Sequence, residues 1–487
     1  MSIPRLPEQV KDFIQTSFKR WLVILLILSP AILEDIYIRS FGVNVASWDQ
    51  WDFVPFIERS FNNNLSVYDL FGQHNEHRLF FPRIAMLILA YISNYNNLYE
   101  MYFSWALALL IFATIFLAYK SSFGTSTKML MAFIPISFMI FDLKQFSNIL
   151  WGFQIQIYLC VLGFVSSIYL LDRSDKLDAS FLLAAGGSIL ASYSFLNGLA
   201  AWPAGLFFIL LTGKGRRMAV VWSFIGLLIS ALYFIHWTKP AGNPSPFLII
   251  EQPLKGLLYF TGNIGSPLGL IIPIAAGIGV VLIIILSIEL ALLTRYGLWK
   301  ENANWLSFIL FSLISSLGMT VFRAGFGIQQ ALTPRYITIT SLAIIGIYVL
   351  ALAIYNKDSQ KKLHRLLLGA ILFILISGLI VGYLYGLEEG PTLCVSKMEE
   401  AYYLKTYKMQ TDDNLARLYP VPAVVRERAP FLEKYKLNVF SDGSERQLKG
   451  NNITDARYYN MRNINNCTQR VVSKYRTILR GINKKYM

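Results

Sequence analysis

The chain has 487 residues, of which 55% are hydrophobic and only 15% charged, with a mean hydropathy of +0.47. Soluble domains carry about 25% charged residues, so a soluble globular fold is excluded, and apolar runs recur at the length that crosses a hydrocarbon core of about 30 Å. The net charge of +15 reads as the Lys/Arg excess of cytoplasmic loops in a membrane protein rather than as a nucleic-acid surface.

Residues 1–20 carry Arg5, Lys11, Lys19 and Arg20 and are too long and mixed for a signal-peptide n-region. They predict a cytoplasmic tail, and the first apolar run, 21–38, predicts a retained span running outward. A polar loop at 39–98 follows. Within it, 79–93 is short and holds Pro82 and Arg83, which predicts a helix lying at the interface rather than crossing. That choice places Lys120 and Lys128, Arg173 and Lys176, Lys214, Arg216 and Arg217, Arg295 and Lys300, and Lys357 to Arg365 all on the cytoplasmic side. Further spans are expected at 99–119, 129–143, 153–171, 179–196, 198–212, 218–237, 268–293, 305–322, 336–355 and 366–387. The fold class is thus an all-α polytopic membrane protein of about eleven transmembrane helices, N-terminus inside and C-terminus outside.

The 238–267 segment, rich in Pro, Gly and Asn, reads as an irregular outer loop. Apolar runs stop after 387, so 21–387 forms the multispan domain and 388–487 a small extracytoplasmic C-terminal domain. Cys160 lies in a span and reads as core packing, while Cys394 and Cys467 can form a disulfide if their region is outside. No internal repeat of the transporter kind stands out.

The chemistry-bearing residues concentrate in the first loop. Asp49 lies between Trp48 and Trp51, with Asp52 following. A carboxylate walled by aromatics can accept a proton from an attacking hydroxyl, and an ionisable group at the membrane margin is functional by default. An aromatic belt with incidental acids is the alternative. Glu34-Asp35 is a rival pair, better explained by pairing with Arg39. The stretch His74, Asn75, Glu76, His77, Arg78 suits hydrogen bonding to a substrate. On a helix its i, i+3 histidines would meet a metal, but two histidines and a glutamate define no metal site. Late in the chain Arg323 and Arg335, the latter next to Tyr336, straddle a glycine-bearing loop. Guanidinium groups grip phosphate in bidentate fashion, although single arginines also snorkel to headgroups. Gln145, Asn148, Trp151, Gln154, Asn197 and Trp202 are lesser polar candidates.

This layout resembles the glycosyltransferase C superfamily, whose members share a first span, a long outer loop with an acidic motif, a partly interfacial helix and many later spans. The likeness is architectural over nearly the whole chain and local at two places. Asp49 stands at the position of the family's acidic residue, and H-N-E-H-R-L-F-F-P-R stands where relatives carry a His/Pro-containing approach to the interfacial helix. The family's two-acid pair is split here by Gln50, which leaves the base open between Asp49 and Asp52. The resemblance implies inverting transfer from a polyprenyl-phosphate sugar to a glycan, lipid or protein acceptor among membrane lipids, and the bias of the basic loops puts the site at the outer face of the plasma membrane. Arg323 and Arg335 would bind the phosphate; Trp48, Trp51, His74, Glu76, His77, Arg78 and Tyr336 would shape the sugar and acceptor sites. No nucleotide-binding glycine fingerprint occurs, which fits a lipid-linked donor. The sequence assigns no cofactor, and assistance by a divalent metal stays open. The rival classes are an envelope polysaccharide polymerase or ligase and a lipid-linked glycan transporter.

Overall fold

A computed structural model describes residues 8–441, which are helical almost throughout. The first part of the chain forms α1 (Glu8–Phe41), α2 (Gln50–Phe61), α3 (Val67–Phe71), a two-residue hairpin of β1 (Gln73–His74) and β2 (His77–Arg78), α4 (Phe80–Ser93), α5 (Asn97–Phe123), α6 (Thr127–Ile140) and α7 (Phe146–Ile149). Then come α8 (Ile155–Asp172), α9 (Ala179–Ser192), α10 (Ala201–Thr212), α11 (Arg216–Phe234), α12 (Leu248–Glu251), α13 (Pro253–Gly265) and α14 (Ile272–Tyr296). The chain continues through α15 (Ala303–Arg323), α16 (Ile337–Lys357), α17 (Lys362–Lys405), α18 (Asp412–Ala416) and α19 (Pro422–Lys434). Among the described residues, 9 helical stretches are long and apolar enough to cross a membrane; they contain α1, α5, α6, α8, α11, α14, α15, α16 and α17. The protein is therefore an all-α polytopic membrane protein.

Two expected spans are shorter than the sequence predicts. The runs at 179–196 and 198–212 yield α9 and α10, of 14 and 12 residues, or about 21 and 18 Å at 1.5 Å per residue. Between them a 3-10 turn spans Leu196–Ala200. A Cβ on Gly198 would sit 1.9 Å from the Ala191 carbonyl oxygen, so glycine alone lets the chain fold back this tightly on α9. α4 is likewise only 14 residues long.

Close helix contacts use small residues, as membrane bundles do. Gly163 of α8 meets Gly187 of α9, and Ser167 Oγ lies 2.9 Å from Ser188 Oγ across the same seam. The 238–267 segment is not wholly irregular: it contains α13, whose glycines are packing positions. A Cβ on Gly265 or on Gly279 of α14 would lie 2.0 Å from a carbonyl oxygen of the facing helix. α16 runs through the bundle, buried along nearly its whole length.

The expected domain boundary at 388 falls inside α17, which continues without a break for 44 residues. The segment beyond it folds back onto the first loop. Asn438 accepts from Ala46 N at 2.8 Å and donates to the Tyr95 carbonyl at 2.9 Å, while Trp48 N donates to the Leu418 carbonyl at 2.7 Å. Cys394 is buried on α17; its expected partner Cys467 lies outside the described residues.

Candidate functional site

A cavity of about 460 Å3 opens where the first loop, the 142–154 segment, the 323–336 segment and the far end of α17 converge. Asp49 reaches it because of how α2 begins. Trp48 adopts φ 53, a left-handed conformation that costs a non-glycine residue about 1–3 kcal/mol and gathers at functional sites. Asp49 then takes the N-cap position but makes no side-chain capping bond, which leaves its carboxylate to the cavity. Gln50 anchors the turn from below: its amide donates to Asn97 Oδ1 at 3.0 Å and Glu100 Oε2 at 2.8 Å, and its oxygen accepts from Trp151 Nε1 at 3.2 Å.

The two histidines arrive by a hairpin, not by a helix. Asn75, at φ 48, tolerates the left-handed region, so the chain reverses within two residues and pairs His74 with His77 across the strands. Directly opposed residues point to one face, and both imidazoles line the cavity. His74 Nε2 lies 3.7 Å from Asp49 Oδ2, an ion-pair distance. Burial alone would push the Asp49 carboxyl up, but His74, Arg335 and His77 together outweigh it and hold the carboxyl below its ordinary value. Burial depresses His77 to about 3, helped by the charges of His74 and Arg335 and opposed by Asp49, so its imidazole is neutral near pH 7. Its Nδ1 accepts from Leu196 N at 3.2 Å, which puts the remaining proton on Nε2, 3.6 Å from Glu76 Oε1. Its ring stacks on Phe195 with centroids 4.0 Å apart.

Cations face Asp49 from the late segments. Arg335 makes no ion pair among the described residues and lies over the Trp151 ring, 6.0 Å from its centroid. Arg323, at the end of α15, is ion-paired with Glu76 and lines the same cavity. Lys397 of α17 also lines it, held by Ser47 Oγ at 2.6 Å and Glu400 at 2.9 Å. Gln154 lines the cavity at 1% exposure, and neither of its amide atoms has a partner among the described residues. A buried amide left in this state is an argument for a bound polar group.

The structure thus gathers Trp48, Asp49, His74, His77, Trp151, Gln154, Arg323, Arg335 and Tyr336 around one space and leaves Trp51, Asp52, Glu76 and Arg78 outside its lining. Trp51 is fully buried core, because the first turn of α2 aims it inward. Asp52 is engaged by the Tyr419 hydroxyl at 3.0 Å and Arg428 at 3.3 Å and does not line the cavity. Arg78 is spent on backbone carbonyls, among them Tyr233 at 2.5 Å and Phe71 at 2.7 Å. Glu76 lies in an adjoining chamber. Asp49, Asp52 and His74 can each place one ligand atom within 4.8 Å of the others, a trio able to hold a divalent cation if Asp52 gave up Tyr419 and Arg428.

Sequence reasoning missed Lys397 and Phe195, which sit in stretches read as a separate domain and as a plain span. It also passed over Glu289 of α14, fully buried with both carboxylate oxygens unpartnered among the described residues. Glu34 is buried, and its neighbour Asp35 pairs with Arg39 at 2.9 Å as expected.

No protein-family model matches the chain. It is similar to an uncharacterized protein of Archaeoglobus fulgidus, 31% identical over 180 residues that cover 33% of this chain and 45% of that protein. The match therefore spans less than half of that relative's length.

Proposed function

We propose that the protein is an inverting glycosyltransferase that moves a sugar from a polyprenyl-phosphate donor to an acceptor hydroxyl at the outer face of a plasma membrane. The observation that carries this reading is the placement of Asp49, held ionised, in one cavity with Arg335 and Arg323. The acceptor oxygen bonds to the anomeric carbon as the bond from that carbon to the phosphate oxygen breaks. The acceptor proton passes to a carboxylate oxygen of Asp49, and the bonding pair leaves with the polyprenyl phosphate. A carboxylate held low is a weak base, so the proton moves only as the attacking oxygen gives up electron density. Arg335, with Arg323 beside it, offsets the charge that develops on the leaving phosphate.

An apolar groove of about 870 Å3 between α6, α16 and α17 supports a lipid-borne donor. Its lining ends at Leu384, and Leu393 of the cavity lies about 14 Å further along α17. The outward orientation rests on the distribution of Lys and Arg among the connecting segments, and a count of eleven crossings takes α9 and α10 as a pair that each traverse the membrane. Asp49→Asn is expected to abolish transfer from a lipid-linked sugar at unchanged expression, whereas Asp52→Asn keeps most of it. Full activity of the Asp49 variant sinks the mechanism.

A further inference from the structure

A second chamber of about 200 Å3 adjoins the cavity. His77, Phe195, Arg323 and Tyr336 line both spaces and form the doorway between them. Phe234, Trp237, Met319 and Phe322 make most of the chamber apolar and aromatic. Besides the doorway residues, three polar side chains interrupt it: Asn197, whose amide donates to the Ser315 carbonyl at 3.3 Å, Glu76 and Ser315. Glu76 is 5% exposed and Ser315 2% exposed. One Glu76 oxygen takes Arg323, but Glu76 Oε2 and Ser315 Oγ have no partner among the described residues. An unpaired buried polar group costs about 1–3 kcal/mol, and more when charged. A pocket that is apolar apart from a few convergent polar groups is the usual form of a small-ligand site.

We infer that this chamber receives the glycosyl ring of the donor and selects a neutral sugar. The inference rests on the transferase reading above and names the part of the substrate that reading leaves unplaced. A sugar presents C–H faces that pack on aromatic walls and hydroxyls that donate to Glu76 Oε2 and Ser315 Oγ. Glu76 holds Arg323 with one oxygen and keeps its second unpartnered among the described residues, so the carboxylate of a uronic acid would be brought against a like charge. A ring seated there leaves its anomeric carbon in the doorway. The phosphate then reaches Arg335 on one side of that carbon, and an acceptor reaches it from the Asp49 side. Gly318 of α15 also lines the chamber, and a Cβ added to it meets nothing within 4 Å, so a larger side chain there occupies the room the sugar would use.

The test titrates the full chain in lipid nanodiscs with a short polyprenyl phosphate, bare or carrying glucose, galactose, mannose, N-acetylglucosamine, arabinose or glucuronate. At least one neutral glycoside should bind about tenfold tighter than the bare lipid, the worth of one good hydrogen bond to a charged group, and the glucuronoside should gain nothing. Gly318→Leu should remove that gain while leaving affinity for the bare lipid unchanged; should it fail to fold, Ser315→Val is expected to reduce the same gain severalfold. Three results overturn the assignment: no neutral glycoside binds better than the bare lipid, the glucuronoside binds best, or the variant weakens bare and glycosylated lipid equally. If the wild type binds no polyprenyl phosphate at all, the transferase reading itself falls, and the chamber assignment with it.

Discussion

Gln154 and His74 show how single residues give up stability or freedom for the site. A buried amide with both ends unpartnered is unfavourable by about 1–3 kcal/mol, and an apolar residue of similar shape removes that penalty. Gln154→Leu is therefore expected to raise the thermal midpoint, by the equivalent of about 1 kcal/mol, while reducing transfer at least tenfold; a variant that is both more stable and fully active would make Gln154 plain packing. His74 acts on Asp49. The Asp49 carboxyl sits below its ordinary value, so its ionised form is present above that lowered pKa and disappears as pH falls through it. Removing His74 leaves burial, which raises the carboxyl, less opposed. His74→Ala should consequently move the acid limb of the activity profile to higher pH, and an unmoved limb would show that His74 does not tune Asp49. Asp49, Arg323 and Arg335 were legible in the sequence because a charged residue is conspicuous in an apolar chain. Trp51 was not, since whether a tryptophan near an acid faces a cavity or the core depends on where α2 starts, and that is set by the left-handed turn at Trp48.

At the scale of elements, the segment beyond α17 works as a clamp on the loop that carries Asp49. Arg428 of α19 donates to the Trp51 carbonyl at 2.6 Å and to Asp52 at 3.3 Å, and Tyr419 holds the same carboxylate. Under the proposed mechanism Asp52 is then a positioning residue and Asp49 the base. Arg428→Ala loses both bonds and leaves the Trp51 carbonyl without that donor, a loss of about 1–3 kcal/mol. The expected result is a lower thermal midpoint and a reduced turnover with little change in the affinity for donor, because α2 keeps its fold but Asp49 is held less firmly. Unchanged turnover would confine Arg428 to stability. None of this pairing has a local signature, since residues 52 and 428 meet only through tertiary structure. α13 was missed for a different reason: glycines that mark a loop in a soluble protein mark close helix packing in a membrane bundle, and composition alone does not separate the two.

For the whole molecule, periodicity and apolar length made the helical, polytopic character legible, whereas the crossing number depended on α9 and α10. Each is too short for a straight crossing of a core of about 30 Å, and the turn between them is tied to a single glycine contact that no hydropathy average registers. Orientation is a separate question, carried by charge alone: the connection after α5, flanked by Lys120 and Lys128, forms an alternating set with those that hold Arg173 and Lys176, Lys214, Arg216 and Arg217, and Arg295 and Lys300, whereas the much longer connection after α11 holds just Lys239 and Lys255. On the bias of cytoplasmic loops toward Lys and Arg, the first is expected inside and the second outside, on the side of Asp49. Ser121, in the last turn of α5, and Ser245, in the connection after α11, are both exposed, so each tolerates a labelling cysteine. Ser245→Cys should react with a membrane-impermeant maleimide on intact cells, and Ser121→Cys only after permeabilisation. The opposite pattern would turn the molecule over and place the Asp49 cavity in the cytoplasm, where nucleotide-linked sugars become available as donors. Labelling of both from one side would mean that α6 to α11 cross an even number of times between these points, so that one of the pair α9 and α10 does not traverse the membrane.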